Sequence, residues 1–324
     1  MKHFSHILCV MSPDQDNGPL LKRALTLAEN NQARLTCVEV IAEVPAGVRP
    51  PGASAADATA RLQAERLAAL EAFTADCRGR AAVACEVLVG LPYLEVVRAV
   101  LQEGYDLVLK EAEDPGFLPR LFGSDDVQLL RKCPCPVWLT KPGGSDNYRV
   151  VLAAVDLDLE GAPTGLAGLN RRILSLAGSL TLSDFAALHV LHVWDAPGEG
   201  LVRAWSDAPD LAAPRYVEGE RQHHQLGMEL VQRELAEILG QEAMGYLGPR
   251  LHLVQGAAAE VIPATAARLG ADLVVMGTLG RTGIAGVVIG NTAEAVFEQL
   301  QCAVLAVKPA GFVSPLGPGT GSGA

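Results

Sequence analysis

The stretch Ala271-Asp-Leu-Val-Val-Met-Gly-Thr-Leu-Gly-Arg-Thr-Gly-Ile-Ala-Gly-Val-Val-Ile-Gly-Asn-Thr292 decides how this chain is read. It opens on an apolar run of strand length, and the segment 291–299 that follows has the periodicity of a helix. Between them lie five glycines, at 277, 280, 283, 286 and 290. Gly277 and Gly280 lack a Cβ, so the backbone can turn sharply at the strand end and approach a ligand closely; Gly290 does the same at the helix entrance. Asn291 and Thr292 offer amide N–H groups at the positive end of a helix dipole. Such a turn is an anion site suited to di- and triphosphates. Its place fits too, because ligands of open α/β sheets bind beyond the carboxyl ends of the strands. It is not a P-loop, since no Gly-Lys-Ser/Thr follows, and its spacing is not that of a dinucleotide fingerprint.

Outward from this stretch, strand and helix patterns alternate along the whole chain. The sequence predicts strands near 6–11, 33–41, 82–89, 106–110 and 136–140, with helices over 19–31, 56–77 and 92–103. It predicts a second set of strands near 149–155, 185–193, 250–254, 273–276 and 303–307, with helices over 169–179, 215–239, 257–269 and 291–299. Strands alternating with helices imply right-handed βαβ units and a parallel sheet. The halves also resemble each other. Tyr105-Asp-Leu-Val-Leu109 matches Ala271-Asp-Leu-Val-Val275, and Gly123-Ser124 falls where Gly290-Asn291 falls. This is an internal duplication with a period of half the chain. The expected division is 1–143, 147–309 and a Gly/Pro/Ser-rich disordered tail over 310–324.

Composition narrows the function classes. The 324 residues are 49% hydrophobic and 5% aromatic, enough for two cores packed from Leu, Val, Ile and Ala. The formal net charge of −11, without a basic cluster, argues against nucleic acid as a partner. No apolar run reaches the roughly 18–20 residues of a membrane helix. Seven cysteines, an odd number mostly in apolar runs, read as reduced thiols of a cytoplasmic protein. Cys133 and Cys135 read as a buried pair. His189 and His192, three apart in a strand, point to opposite faces and share no metal, and His223-His224 reads as solvated surface. The sequence therefore supplies no metal site and no catalytic residues.

The motif Gly277, two residues, Gly280, nine residues, Gly290, then Asn291-Thr292 resembles the nucleotide motif of the universal stress proteins, which has Ser or Thr directly after the last glycine. The chain is most similar to the tandem members of that family, of the bacterial UspE type. The resemblance implies two five-stranded parallel α/β sandwiches that pair through their last strands as a pseudo-dimer, and it leaves a homodimer open. It also implies ATP as ligand, with Mg²⁺ arriving on the nucleotide. Asp156, after Val151-Leu-Ala-Ala-Val155, would bond the ribose hydroxyls. The end of the next strand, at Val193, would lend backbone groups to adenine. Met276, Gly277, Gly280, Arg281, Gly290, Asn291 and Thr292 complete the expected nucleotide site, and Asp158 and Glu160 lie near it.

The first half departs from this pattern. Ser12 stands in place of Asp156, and Lys110-Glu-Ala-Glu-Asp-Pro-Gly116 replaces the first glycines. Carboxylates there repel phosphate, so nucleotide is expected in the second half alone. The expected role is regulatory or stress-protective. No general base stands beside the γ-phosphate, so hydrolysis would be slow at most. The alternative is an interaction module that binds a small molecule or partner through the first half.

Overall fold

The computed structural model describes residues 2–13, 15–45, 47–48, 54–77, 79–113, 125–141, 143–144, 147–157, 168–278 and 289–317. The described residues group into two compact units, Met1–Asn147 with the residues from Gly311 onward, and Tyr148–Ala310.

In the first unit the elements run β1 (His6–Met11), α1 (Gly18–Asn31), β2 (Arg34–Ile41), α2 (Ala55–Phe73), β3 (Val83–Val89), α3 (Pro92–Glu103), β4 (Leu107–Glu111), α4 (Asp125–Lys132) and β5 (Val137–Thr140). Every strand pairing is parallel, in the order β3-β2-β1-β4-β5. The central strands are buried on both faces, which is why β1 reads as the unbroken apolar run Ile7-Leu-Cys-Val-Met11.

The second unit repeats the plan with β6 (Val150–Val155), α5 (Gly168–Asp184), β7 (Ala187–Trp194), α6 (Glu199–Trp205), α7 (Pro209–Leu239), α8 (Gln241–Leu247), β8 (Arg250–Gln255), α9 (Ala258–Leu269), β9 (Leu273–Gly277), α10 (Asn291–Gln299) and β10 (Ala303–Val307). Its strands are again parallel, in the order β8-β7-β6-β9-β10. The sequence expected one helix from Arg215 where three occur. Helix α7 begins earlier and runs through Pro214, which removes only one in-helix donor near its start.

The repeated Asp-Leu-Val motif has a structural purpose. The Asp106 carboxylate accepts the amides of Ser5 (2.7 Å) and His6 (3.1 Å). Asp272 accepts those of Arg149 (2.7 Å) and Val150 (2.9 Å). Each therefore satisfies the first amides of the central strand, which a sheet start would otherwise leave unpaired. Gly90 and Gly256 form a second matched pair, with φ of +148° and +145° just before α3 and α9. An added Cβ would meet Glu95 at 2.8 Å and Val261 at 2.9 Å, so only glycine fits.

The sequence placed a disordered tail from Ala310. Residues 310–317 are described, with Ser314 buried and its hydroxyl accepting the amide of Leu316 (3.2 Å). The remainder of that stretch lies outside the described residues. All seven cysteines are free thiols, and the sulfurs of Cys133 and Cys135, both buried, lie 3.5 Å apart. Among the described residues no helix is long and apolar enough to cross a membrane.

Candidate nucleotide site in the second unit

Strand order places the expected site residues at one edge. β6 lies between β7 and β9, with Val155 opposite His192 and Ala154 opposite Met276. One residue further along each strand, Asp156, Val193 and Gly277–Thr278 stand side by side at the carboxyl edge. Met276 is buried, Val193 and Gly277 are half-buried, and Asp156 is exposed. The exposed carboxylate sits on a fixed backbone. Asp156 N–H donates to Asn170 Oδ1 (3.2 Å), and Asn170 Nδ2 donates back to Asp156 O (2.5 Å). Asn17 clamps Ser12 in the same way in the first unit (3.1 and 2.7 Å). These asparagines were missed by sequence reasoning. They lie five residues past one strand-end position and fourteen past the other, so no shared spacing marks them.

The glycine loop is anchored at both ends. Thr278 N–H donates to Val307 O (3.1 Å), and Gly290 N–H donates to Thr278 O (2.8 Å). The second bond commits the Gly290 amide to the closure of the loop. Gly290 also has φ −79° and ψ 144°, which any residue can adopt, so the turn itself does not demand glycine.

Helix α10 begins directly after Gly290. Its first in-helix bond among the described residues runs from Glu294 N–H to Gly290 O (3.0 Å), and no side chain caps the N-terminus. The amides of Asn291, Thr292 and Ala293 precede that bond, so they have no acceptor one turn back among the described residues. Asn291 and Thr292 are exposed. Thr278 is fully buried, and its hydroxyl has no hydrogen-bond partner among the described residues. Gly280 and Arg281, like Asp158 and Glu160, lie outside the described residues. Among the described residues no group of three or more His, Cys, Asp or Glu is placed to hold a metal ion.

A buried histidine pair lies beneath this edge. His192 Nε2 is 2.9 Å from His224 Nδ1, and His192 Nδ1 is 3.2 Å from Val155 O. His224 was expected on the solvated surface; it is buried because it continues the stripe Gly227, Met228, Val231, Leu235 and Ile238 that α7 turns inward. His189 points to the other face, as its spacing requires, and meets His252 at 2.8 Å. Burial holds both His189 and His252 below the usual histidine range, with Arg250 and Arg268 adding to the effect.

The same edge of the first unit is built differently. Lys110, opposite Val10 at the end of β4, donates to Asp126 Oδ1 (2.7 Å) and reaches Glu113 at 3.4 Å. Asp126 Oδ2 accepts the amide of Glu113 (2.7 Å). Asp126 stands in the first turn of α4 where Ala293 stands in α10. A resident carboxylate thus occupies the helix N-terminus that is left uncapped in the second unit. Gly123, Ser124 and Asp114 lie outside the described residues.

Comparison with known proteins agrees with the duplication. Residues 3–141 and 147–308 each match the universal stress protein family. The chain is 29% identical over 327 residues to universal stress protein E of Escherichia coli K12, covering 98% of both chains. It is 28% identical over 330 residues to that of Photorhabdus laumondii, again 98% of both. A Pseudomonas aeruginosa PAO1 structure of unknown function superposes with a TM-score of 0.66 at 26% identity, covering 94% of this chain and 93% of that one. A universal stress protein from Archaeoglobus fulgidus shares the fold, with a TM-score of 0.59 at 18% identity and 95% and 97% coverage. The chain belongs to the universal stress protein family and carries two copies of its domain in tandem.

Proposed function

We propose that the second domain, 147–309, binds ATP, with Mg²⁺ carried on the nucleotide. The first domain, 1–143, is degenerate for that ligand, and the protein acts in the cytoplasm as a nucleotide-dependent regulator in the stress response. One observation carries the reading. A single strand edge gathers the clamped Asp156, the backbone at Val193, the side-chain-free Gly277 and the uncapped N-terminus of α10.

Each part has a role by its chemistry. The Asp156 carboxylate accepts from ribose hydroxyls, and the Val193 backbone serves the adenine edge. Gly277 and Gly280 let phosphate approach the main chain. The amides of Asn291 and Thr292 receive phosphate oxygens in line with the helix dipole. Arg281 adds a cation on the loop. The sequence supplies no general base beside the γ-phosphate, so hydrolysis is expected to be slow at most.

The test is thermal unfolding of the full chain with and without ATP. At a hundredfold excess over Kd, binding stabilises the folded state by about 2.7 kcal/mol. Gly277→Glu sets a carboxylate against the phosphates and is expected to remove that gain. No response to any adenine nucleotide, or a gain that survives Gly277→Glu, overturns the reading. Mass spectrometry of ligand retained by the native protein identifies which nucleotide is held.

A further inference from the structure

The buried histidine pair of the second unit has a fixed direction of hydrogen bonding. Val155 O can only accept, so His192 Nδ1, 3.2 Å away, carries a proton and donates it to that bond. Neutral His192 then turns the lone pair of Nε2 to His224 Nδ1 at 2.9 Å, and His224 Nδ1–H donates. The other ring nitrogen of His224, Nε2, is therefore where the pair takes up a further proton, and the imidazolium so formed keeps both bonds.

The surroundings of His224 suit a cation. The Trp194 ring stands 5.5 Å from its own, centroid to centroid, within the range of a cation–π contact. On α7, Glu220 lies one turn earlier and is half-buried, and the exposed His223 is 6.3 Å away, ring to ring. On β6, the carbonyl of Val155 is followed by the exposed Asp156. Past β7, Asp195 is exposed and accepts the amide of Ala196 (2.8 Å). β8 sets Leu253 opposite His192, and none of the buried residues of α5 is ionisable. Arg250 and Arg268 act on His189 and His252, on the opposite face of the sheet.

The pair also touches the backbone on either side of the nucleoside position. Val155 precedes Asp156, His192 precedes Val193, and Trp194 follows it. The first unit has Glu39 at the matching place, opposite Met11 and held by Arg66 at 2.6 and 2.9 Å, an ion pair without net charge. We propose that His224 is the proton-binding residue of the second unit's nucleotide site, so that an adenine nucleotide and a proton bind together. This inference rests on the nucleotide reading of that unit. A positive charge under the edge attracts an anionic ligand. By reciprocity the nucleotide raises the proton affinity of His224 by the same factor. Binding therefore tightens as pH falls through the histidine range, from about 8 to about 5.

The experiment is calorimetric titration of the full chain with ATP at about pH 6 and about pH 8. The ratio of the two affinities is expected to be about tenfold larger in the wild type than in His224→Asn. Titration of the nucleotide's own phosphates is common to both proteins and cancels. Asparagine keeps an N–H where Nδ1 stands and takes up no proton, and circular dichroism checks that the fold is kept. His223→Asn, on the exposed side of α7, should keep the wild-type ratio. A second measurement needs no variant: the NMR titration of the His224 ring should move to higher pH when ATP is bound. An equal ratio in His224→Asn, or a His224 titration that ATP does not move, overturns this inference while the nucleotide reading stands. No ATP binding at either pH overturns both.

Discussion

The two units end their fourth strands on the same backbone bond and then diverge. Ala112 N–H donates to Thr140 O at 2.9 Å in the first, and Thr278 N–H donates to Val307 O at 3.1 Å in the second. Beyond that point the second unit has glycine and an uncapped helix. The first has Glu111, Glu113 and an Asp126 carboxylate locked to Lys110. A similar exchange occurs one strand over, where Met11 lies opposite Glu39 and Val155 lies opposite His192. Glu39 is held by Arg66 from α2 at 2.6 and 2.9 Å, whereas His192 is held by His224 from α7. The scaffold thus accepts a carboxylate in one unit and an imidazole in the other at one geometric position, each held by a partner from the crossover helix. What differs between the units is the chemistry at the edge, while the hydrogen bonds that set the edge in place are kept.

The largest expected effect tests whether Asp126 is a resident anion. Asp126→Ala, which gives the first unit the residue of the second, leaves the buried Lys110 ammonium its longer contact to Glu113 (3.4 Å) and should cost about 3 kcal/mol in urea unfolding. A loss within about 1 kcal/mol would mean that the pair is not an integral part of the unit. The reciprocal change, Ala293→Asp, places a carboxylate at the N-terminus of α10. It should abolish the ATP-dependent stabilisation, about 2.7 kcal/mol at a hundredfold excess over Kd; because Ala293 is buried, ligand-free stability falls as well, so the shift is read against the variant's own ligand-free midpoint. If ATP still stabilises Ala293→Asp, the phosphates bind elsewhere.

A smaller effect should be equal in both units. Asp106→Ala and Asp272→Ala each expose two strand amides that lose their acceptor, at a cost of about 1–3 kcal/mol. Clearly unequal losses in denaturant midpoint would break the equivalence drawn between the two motifs. The smallest effect comes from the stacked histidine pair of the second unit. His189 and His252 are held below the ordinary value of 6.5, so the unfolded chain takes up protons there before the folded one does. Stability is then complete above that value and declines as pH falls through it. His252→Asn should flatten this acid-side decline; an unchanged pH profile would exclude the pair as its source.

Much of the plan was legible in the sequence, because it rests on periodicity and repetition. The strands, the helices that cross between them and the position of the glycine loop follow from apolar runs and turn residues. The duplicated Asp-Leu-Val motif was visible, but its purpose was not, since the amides that Asp106 accepts lie a hundred residues earlier in the chain. His224 looked like surface because its neighbours in sequence are polar. Only the packing of α7 on β7 shows that it extends an inward stripe. The same limit hid Asn17 and Asn170, whose partners are strand ends reached at different spacings.

Taken alone, the sequence determined two α/β units, their internal likeness and the unequal charge at their fourth strands, because local pattern and composition encode these directly. Tertiary structure alone decided which polar groups meet. It committed the Gly290 amide to Thr278, gave Lys110 to Asp126 and turned His224 inward to His192. Pairing of this kind depends on distances between residues far apart in the chain, and strand register sets those distances where sequence spacing does not.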